Sequence, residues 1–265
     1  MQRRYYRGCD FRRARTIEEL RVIARRRLPG LALEYLEGAA EDEITLRRNR
    51  EVFEKILFLP RTLIDVGKRE LSTELFGRTI LLPLVIGPTA LNGMLCHGAD
   101  LALARAARKH GIPFTLSTIS TSRIEDVVAQ GEGSVWFQIY NMRDRDFWKR
   151  LVHRAAAAGC ETLVITTDVP VFGNREWDMR NYRALGKPSL RSMLDVLAHP
   201  RWLLDVMVLH GQPRFANLRE LLPPGHDRAS EGALSLSKQI DPTLNWRDVA
   251  MLRDLGRGSS SSKEC

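Results

Sequence analysis

Thr89, Ser117, Gln138, Tyr140, Thr166 and Asp168 supply hydroxyls, a primary amide, a phenol and a carboxylate, the groups from which a polar ligand site is built. Their spacing places each at or just past the C-terminal end of an apolar run: Leu81–Gly87, Phe114–Thr118, Val135–Tyr140 and Leu163–Thr167. In parallel α/β folds that end of the strands faces the ligand. One polar residue at a strand end marks only where a loop starts. A series of them on four consecutive strands points to a site.

The elements that must position these groups are legible in the same stretch. Ala99–His110, Arg123–Gln130 and Asp144–Ala158 carry helical periodicity between the apolar runs, and Gly111, Gly133 and Gly159 sit in the short connections. Strand and helix in alternation imply a parallel sheet with covering helices, a doubly wound sheet or a barrel. Upstream, Ile17, Leu20, Ile23 and Leu28 predict an amphipathic helix with Thr16 as its cap, and a second helix covers Pro29–Leu36. Glu51–Val66 reads as irregular or short strand. After Asp168 the rhythm fails for about 70 residues, long for a loop in a compact domain. It resumes with a helix over Asn245–Leu255. The expected organisation is an N-terminal helical and irregular segment (1–80), a barrel portion (81–255) with a long loop (170–244), and a disordered tail (256–265).

Bulk properties narrow the function classes. The net charge is +9, with basic residues grouped at the N-terminus and between Arg180 and Arg219. Zinc-finger spacing and RNP-like aromatics are absent from the sequence, so nucleic acid is not an expected partner. The four cysteines form no CxxC pair, which fits a reduced, cytoplasmic compartment and no metal site. No apolar run reaches the roughly eighteen residues of a membrane span.

Several segments together resemble one family. They are Leu33-Glu-Tyr-Leu-Glu-Gly-Ala-Ala-Glu-Asp-Glu43, Ile86-Gly-Pro-Thr-Ala-Leu-Asn-Gly-Met94, Leu116-Ser-Thr118, Trp136-Phe-Gln-Ile-Tyr140, Thr166-Thr-Asp-Val-Pro-Val-Phe-Gly-Asn-Arg-Glu176 and Gln239-Ile-Asp-Pro-Thr-Leu-Asn-Trp246. In this order they resemble the FMN-dependent 2-hydroxy-acid dehydrogenases and oxidases of mandelate or membrane-associated lactate type, from about Thr16 to Leu255. The resemblance implies a TIM (β/α)8 barrel with FMN at its C-terminal face. It implies flavin contacts from Pro88, Thr89 and Ala90, largely through backbone, and from the side chains of Ser117, Gln138 and Thr166. It assigns the carboxylate of a 2-hydroxy-acid substrate to Arg175, Tyr140 and Tyr35, since a bidentate guanidinium and phenols suit that group. Asp168 matches the carboxylate that orients the family's histidine base. Tyr140 and Asp168 are therefore the expected catalytic residues. Expected partners are the 2-hydroxy acid, a quinone or another electron acceptor and, for full-length relatives, further copies in a homo-oligomer.

The family's base stands in a Ser-Asn-His-Gly-Gly context and its flavin-side lysine in Val-Lys-Gly. None of the six histidines, His97, His110, His153, His199, His210 and His226, has that setting, and solvated surface positions are expected for all of them. Relatives continue beyond Leu255 with Trp-Pro-Gly-Lys-Leu-Ile-Val-Lys-Gly. Restoring one T before the codon of Gly256 lets the tail encode that strand, so residues 256–265 read as a frameshifted fifth strand and the chain as about four of eight barrel units. Two other readings stay open: a catalytically inactive, truncated product, and a fragment of another FMN- or phosphate-binding barrel. The segment Pro188–Leu222 sets Trp202, Leu203, Leu204, Val206, Met207, Val208 and Leu209 beside Lys187, Arg191, Arg201 and Arg214. It predicts peripheral contact with an anionic membrane, on the cytoplasmic face.

Overall fold

A computed structural model describes residues 6–171, 173–176, 180–184, 187–222 and 238–260. In chain order the elements are helices α1 (Ile17–Arg27), α2 (Gly30–Glu37) and α3 (Ile44–Glu51), strands β1 (Thr73–Leu75) and β2 (Arg78–Ile80), and helices α4 (Asn92–Leu95) and α5 (Ala99–His110). Then come β3 (Phe114–Leu116), α6 (Ile124–Gly131), β4 (Val135–Tyr140), α7 (Arg145–Ala158) and β5 (Leu163–Thr166). The paired strands β6 (Tyr182–Ala184) and β7 (Lys187–Pro188), helix α8 (Leu190–Ala198), a single turn Pro200–Trp202, a π-helical stretch Leu203–Val208 and α9 (Trp246–Ser260) complete the order.

The chain divides into two units: a smaller one of residues 1–56 with 173–212, and a larger one of 57–172 with 213–265. This differs from the expected division at residue 80. Residues 57–80 belong with the strands, because β1 and β2 form a hairpin and Arg78 reaches the Gly133 carbonyl and the Glu161 carboxylate.

In the larger unit β3, β4 and β5 form a parallel sheet in that order, with Phe114 opposite Val135 and Tyr140 opposite Thr166. The expected first strand, Leu81–Gly87, is reduced to one parallel bridge between Ile86 and Phe114. Pro83 lacks an N–H for a ladder, and the backbone turns back locally where the Leu84 N–H meets the Leu82 carbonyl. Helices α5, α6 and α7 cover the sheet. Ala104, Val127, Trp148, Leu151 and Ala155 on the helices and Phe114, Phe137 and Ile139 on the strands are all buried and make up this unit's core. Asp144 caps α7 through the N–H groups of Asp146 and Phe147. Gly159 ends it at φ 107°, a conformation that side chains resist.

Residues 213–222 pack into this core through Phe215, Leu218 and Leu222. The return segment is pinned by Arg145. Its guanidinium meets Asn141 Oδ1 at 2.5 Å, Asp241 Oδ2 at 2.8 Å and Asp248 Oδ1 at 3.5 Å. The Asp241 carboxyl titrates below its usual range, chiefly because the Thr243 hydroxyl donates to it. Between α6 and α7, Arg154 grips Glu125 through two bonds of 2.6 and 2.8 Å, which holds the Glu125 carboxyl down at about 2.

The last helix continues to Ser260, past the expected end at Leu255. Once a helix is nucleated each added residue gains a backbone bond, which offsets the poor propensities of Gly and Ser. The expected disorder therefore does not hold for 256–260, while residues 261–265 lie outside the described part. In the smaller unit Thr16 caps α1 through the Glu19 N–H, as predicted. Leu28 is buried as the amphipathic expectation has it, but Ile17 is 80% exposed and Glu19 is buried. Glu19 faces inward because it accepts from the Tyr6 and Arg15 N–H groups. Helix α3 falls where the sequence showed no periodicity.

Candidate active site

The three parallel strands converge on one amide. Gln138, 1% exposed, accepts at Oε1 from the Ser117 hydroxyl and from the Thr118 N–H, each at 3.1 Å. Its Nε2 donates to the Thr166 hydroxyl at 2.7 Å. Ser117 follows β3 and Thr166 ends β5, so neighbouring strands bring these three predicted residues together at their C-terminal ends. Thr118 joins them, donating to the Gln138 carbonyl at 2.5 Å. The sequence reading passed over Thr118, although the Ser-Thr doublet after an apolar strand marks it. Among the described residues the bonds to Gln138 Nε2 leave its second N–H and the proton of Thr166 available to a ligand.

A cavity of about 560 Å³ opens at the same strand ends, lined by Tyr140, Thr166, Thr167, Pro170, Asp241 and Trp246 among others. Tyr140 is half-buried on its wall. Burial first, and the charge of Asp168 second, push its phenol above the usual value. The hydroxyl thus stays protonated, a donor, at neutral pH and well above it. Asp168 itself is exposed. We expect Asp168→Asn to bring the Tyr140 phenol pKa down, because it removes one of the two causes. Absorbance titration at 295 nm, with Tyr140→Phe used to assign the signal, checks this, and an unchanged pKa would exclude coupling between the two groups.

The turn after the first apolar run presents backbone. Pro88 and Thr89 are exposed and Ala90 is half-buried. The Thr89 hydroxyl is committed to Asn92 Oδ1 at 2.9 Å. A Cβ built on Gly87 meets nothing within 4 Å, so a flat ligand can approach that backbone closely. Donors from Gln138 and Thr166 and an open backbone at 87–90 are together compatible with the polar edge of a flavin ring.

In the smaller unit Arg175 donates from Nη2 to the Tyr35 carbonyl at 2.6 Å, and its guanidinium lies 5.2 Å from the Tyr35 ring centroid. That carbonyl belongs to the last turn of α2, where a cation is favoured. These two predicted residues therefore meet.

Of the histidines, His97, His110, His153 and His210 are exposed as expected. His199 is a correction: it is half-buried, with Nδ1 2.7 Å from the Asp195 carbonyl, because the turn after α8 folds it back on the helix. His226 lies outside the described residues. Among the described residues no cluster of His, Cys, Asp and Glu can hold a metal ion.

Comparison with known proteins adds sequence and fold neighbours. Residues 24–263 match the family described as FMN-dependent dehydrogenase. The chain is 43% identical over 240 residues to (S)-mandelate dehydrogenase of Pseudomonas putida, covering 90% of this chain and 60% of that protein. It is 37% identical over 241 residues to L-lactate dehydrogenase of Acinetobacter baylyi, covering 91% and 62%. The crystal structure of the monotopic membrane protein (S)-mandelate dehydrogenase superposes with a TM-score of 0.82 at 44% identity, covering 90% of this chain and 63% of that one. The chain thus spans about 60% of the length of the curated relatives it matches.

Proposed function

Because this chain belongs to the FMN-dependent dehydrogenase family, we propose that it is part of an enzyme oxidising an (S)-2-hydroxy acid of mandelate type to the 2-oxo acid. The observation that carries this is the hydrogen-bonded set Ser117–Gln138–Thr166 beside a cavity walled by Tyr140. The greater identity to the mandelate enzyme than to the lactate enzyme supports putting mandelate first.

FMN, when bound, accepts the two electrons removed from the α-carbon. Gln138 and Thr166 would donate to its ring and the 88–90 turn would back it, while Ser117 holds the Gln138 amide in place. Arg175, with Tyr35, is assigned the substrate carboxylate, for which a guanidinium fork is matched. Tyr140, on the wall of the larger unit's cavity and kept protonated by its burial, is assigned a hydrogen bond to a substrate oxygen. Asp168 supplies a carboxylate suited to orient an imidazole base and stabilise its protonated form.

The test is a chimera in which residues 24–255 replace the matching part of the Pseudomonas putida enzyme. With FMN and no oxygen, (S)-mandelate should bleach the flavin and (S)-lactate should do so more slowly. The reverse order would move the substrate to the lactate type, and no bleaching by either would sink the reading. The 265 residues alone, with no histidine in the base's sequence context, should leave the flavin oxidised.

The smaller unit carries a second part of the proposal, contact with a bilayer. Leu190, Met193, Leu194 and Leu197 are exposed along one face of α8, at the spacing of helix turns, and Leu204, Val208 and Leu209 are exposed beyond it. Trp202 and Val206, expected on the same surface, are buried at 1% and 2%, because they pack the stretch back on its own unit. Arg191 and Arg201 are exposed near the apolar face, where anionic headgroups would meet them. No helix among the described residues is long and apolar enough to cross a membrane. Leu194→Glu with Leu197→Glu, which leaves the buried anchors intact, should abolish co-sedimentation with anionic vesicles. Equal sedimentation of variant and parent would remove α8 as the contact.

A further inference from the structure

Asp100 lies at the start of α5, 1% exposed, in the same unit as the proposed flavin contacts but outside them. Its Oδ1 accepts from Asn92 Nδ2 at 2.7 Å and its Oδ2 from the Ser120 hydroxyl at 2.5 Å. Asn92, also buried, accepts at Oδ1 from the Thr89 hydroxyl at 2.9 Å and donates from Nδ2 to the Thr89 carbonyl at 3.2 Å. A carboxylate only accepts hydrogen bonds. Asp100 therefore decides which end of the Asn92 amide faces it. With the amide nitrogen turned to Asp100 and to the Thr89 carbonyl, the oxygen is left for the Thr89 hydroxyl. The hydroxyl and the carbonyl of Thr89 are thus both fixed by one side chain whose orientation Asp100 sets.

The turn so held is under strain. Leu91 adopts φ 57°, a left-handed conformation that a residue with a Cβ resists. Such a conformation persists only where its surroundings over-determine it. Here the Leu91 N–H is tied to the Ile119 carbonyl at 3.1 Å and the Gly93 N–H to the Thr121 hydroxyl at 3.0 Å. The Ile119–Thr121 strip is fastened in turn through Ser120 to Asp100.

We propose that Asp100, acting through Asn92 and Ser120, is a positioning residue that holds the Thr89–Leu91 turn in the strained shape presented to the flavin. This rests on the proposed FMN reading. It adds a buried carboxyl group that touches neither cofactor nor substrate yet sets the backbone that does.

The test compares the full chain with Asp100→Ala and Asp100→Asn. An asparagine keeps the relay: its oxygen accepts from Asn92 and its amide donates to Ser120, whose proton then turns to the Ser122 carbonyl 3.2 Å away. We expect Asp100→Ala to speed amide hydrogen exchange at Leu91, Gly93 and Met94 at least tenfold, with β4 amides within twofold of the parent. FMN affinity, read by flavin fluorescence quenching, should weaken at least fivefold, and Asp100→Asn should stay within twofold on both readouts. Unchanged exchange in Asp100→Ala, or faster exchange with unchanged FMN affinity, would overturn the proposal. Should Asp100→Ala not fold, Asn92→Ala carries the same expectations. If the parent binds no FMN, the flavin arm of the proposal fails for this chain, and the exchange measurement still decides whether Asp100 holds the turn.

Discussion

Arg175→Met, placed in the chimera that carries residues 24–255, should lower kcat/KM for (S)-mandelate about 1,000-fold, equivalent to about 4 kcal/mol. A methionine fills similar space but offers no cation to a carboxylate. Arg175→Lys restores the charge without the planar fork and should recover only part of the loss. The structure gives Arg175 a second task, since it donates to the Tyr35 carbonyl at the end of α2. That bond, made by a charged donor, is worth about 1.5–3 kcal/mol of stability, short of the roughly 4 kcal/mol that a thousandfold loss represents. Denaturation curves of the variants separate the two contributions. A loss below tenfold in a folded Arg175→Met enzyme would remove Arg175 from the substrate site.

Gln138→Leu should destabilise the chain by about 2–4 kcal/mol and abolish measurable FMN binding. The Ser117 hydroxyl, the Thr118 N–H and the Thr166 hydroxyl would all lose the partner that now meets them. Ser117 and Thr118 are buried too, so water does not replace it readily. Gln138→Glu separates stability from binding. The carboxylate keeps an acceptor for Ser117 and Thr118, and Thr166 can turn its own proton toward it. It has no N–H left to donate, so FMN affinity should fall at least tenfold while most of the stability is retained. Unfolding in urea and flavin fluorescence titration read the two effects, and full FMN affinity in Gln138→Glu would exclude the amide as a flavin contact.

Much of the larger unit was legible because apolar period and short turns determine local structure before any long-range contact. Ala99–His110 and Val135–Tyr140 form the predicted elements over the same residues. Asp144 stands at the helix boundary because its carboxylate satisfies N–H groups that the helix leaves open. The cluster of Ser117, Gln138 and Thr166 was legible for a related reason, since adjacent parallel strands present their C-terminal ends on the same side of the sheet.

The failures share another cause: they concern which face of an element meets which neighbour. Period alone put Ile17 inside and Glu19 outside α1, and it placed Trp202 and Val206 with the exposed leucines. Only packing shows that two backbone N–H groups hold Glu19 inward and that Trp202 turns back onto its own unit. Leu81–Gly87 has the composition of a strand, yet Pro83 reduces it to a single bridge. Local pattern and motif order suffice for the parallel α/β succession, the family and the residue types available for flavin and carboxylate. Packing adds that Asp100 turns the Asn92 amide, that Gln138 is the hub of three strands and that Arg175 braces α2. These depend on contacts across turns and between elements, whose geometry no local pattern encodes.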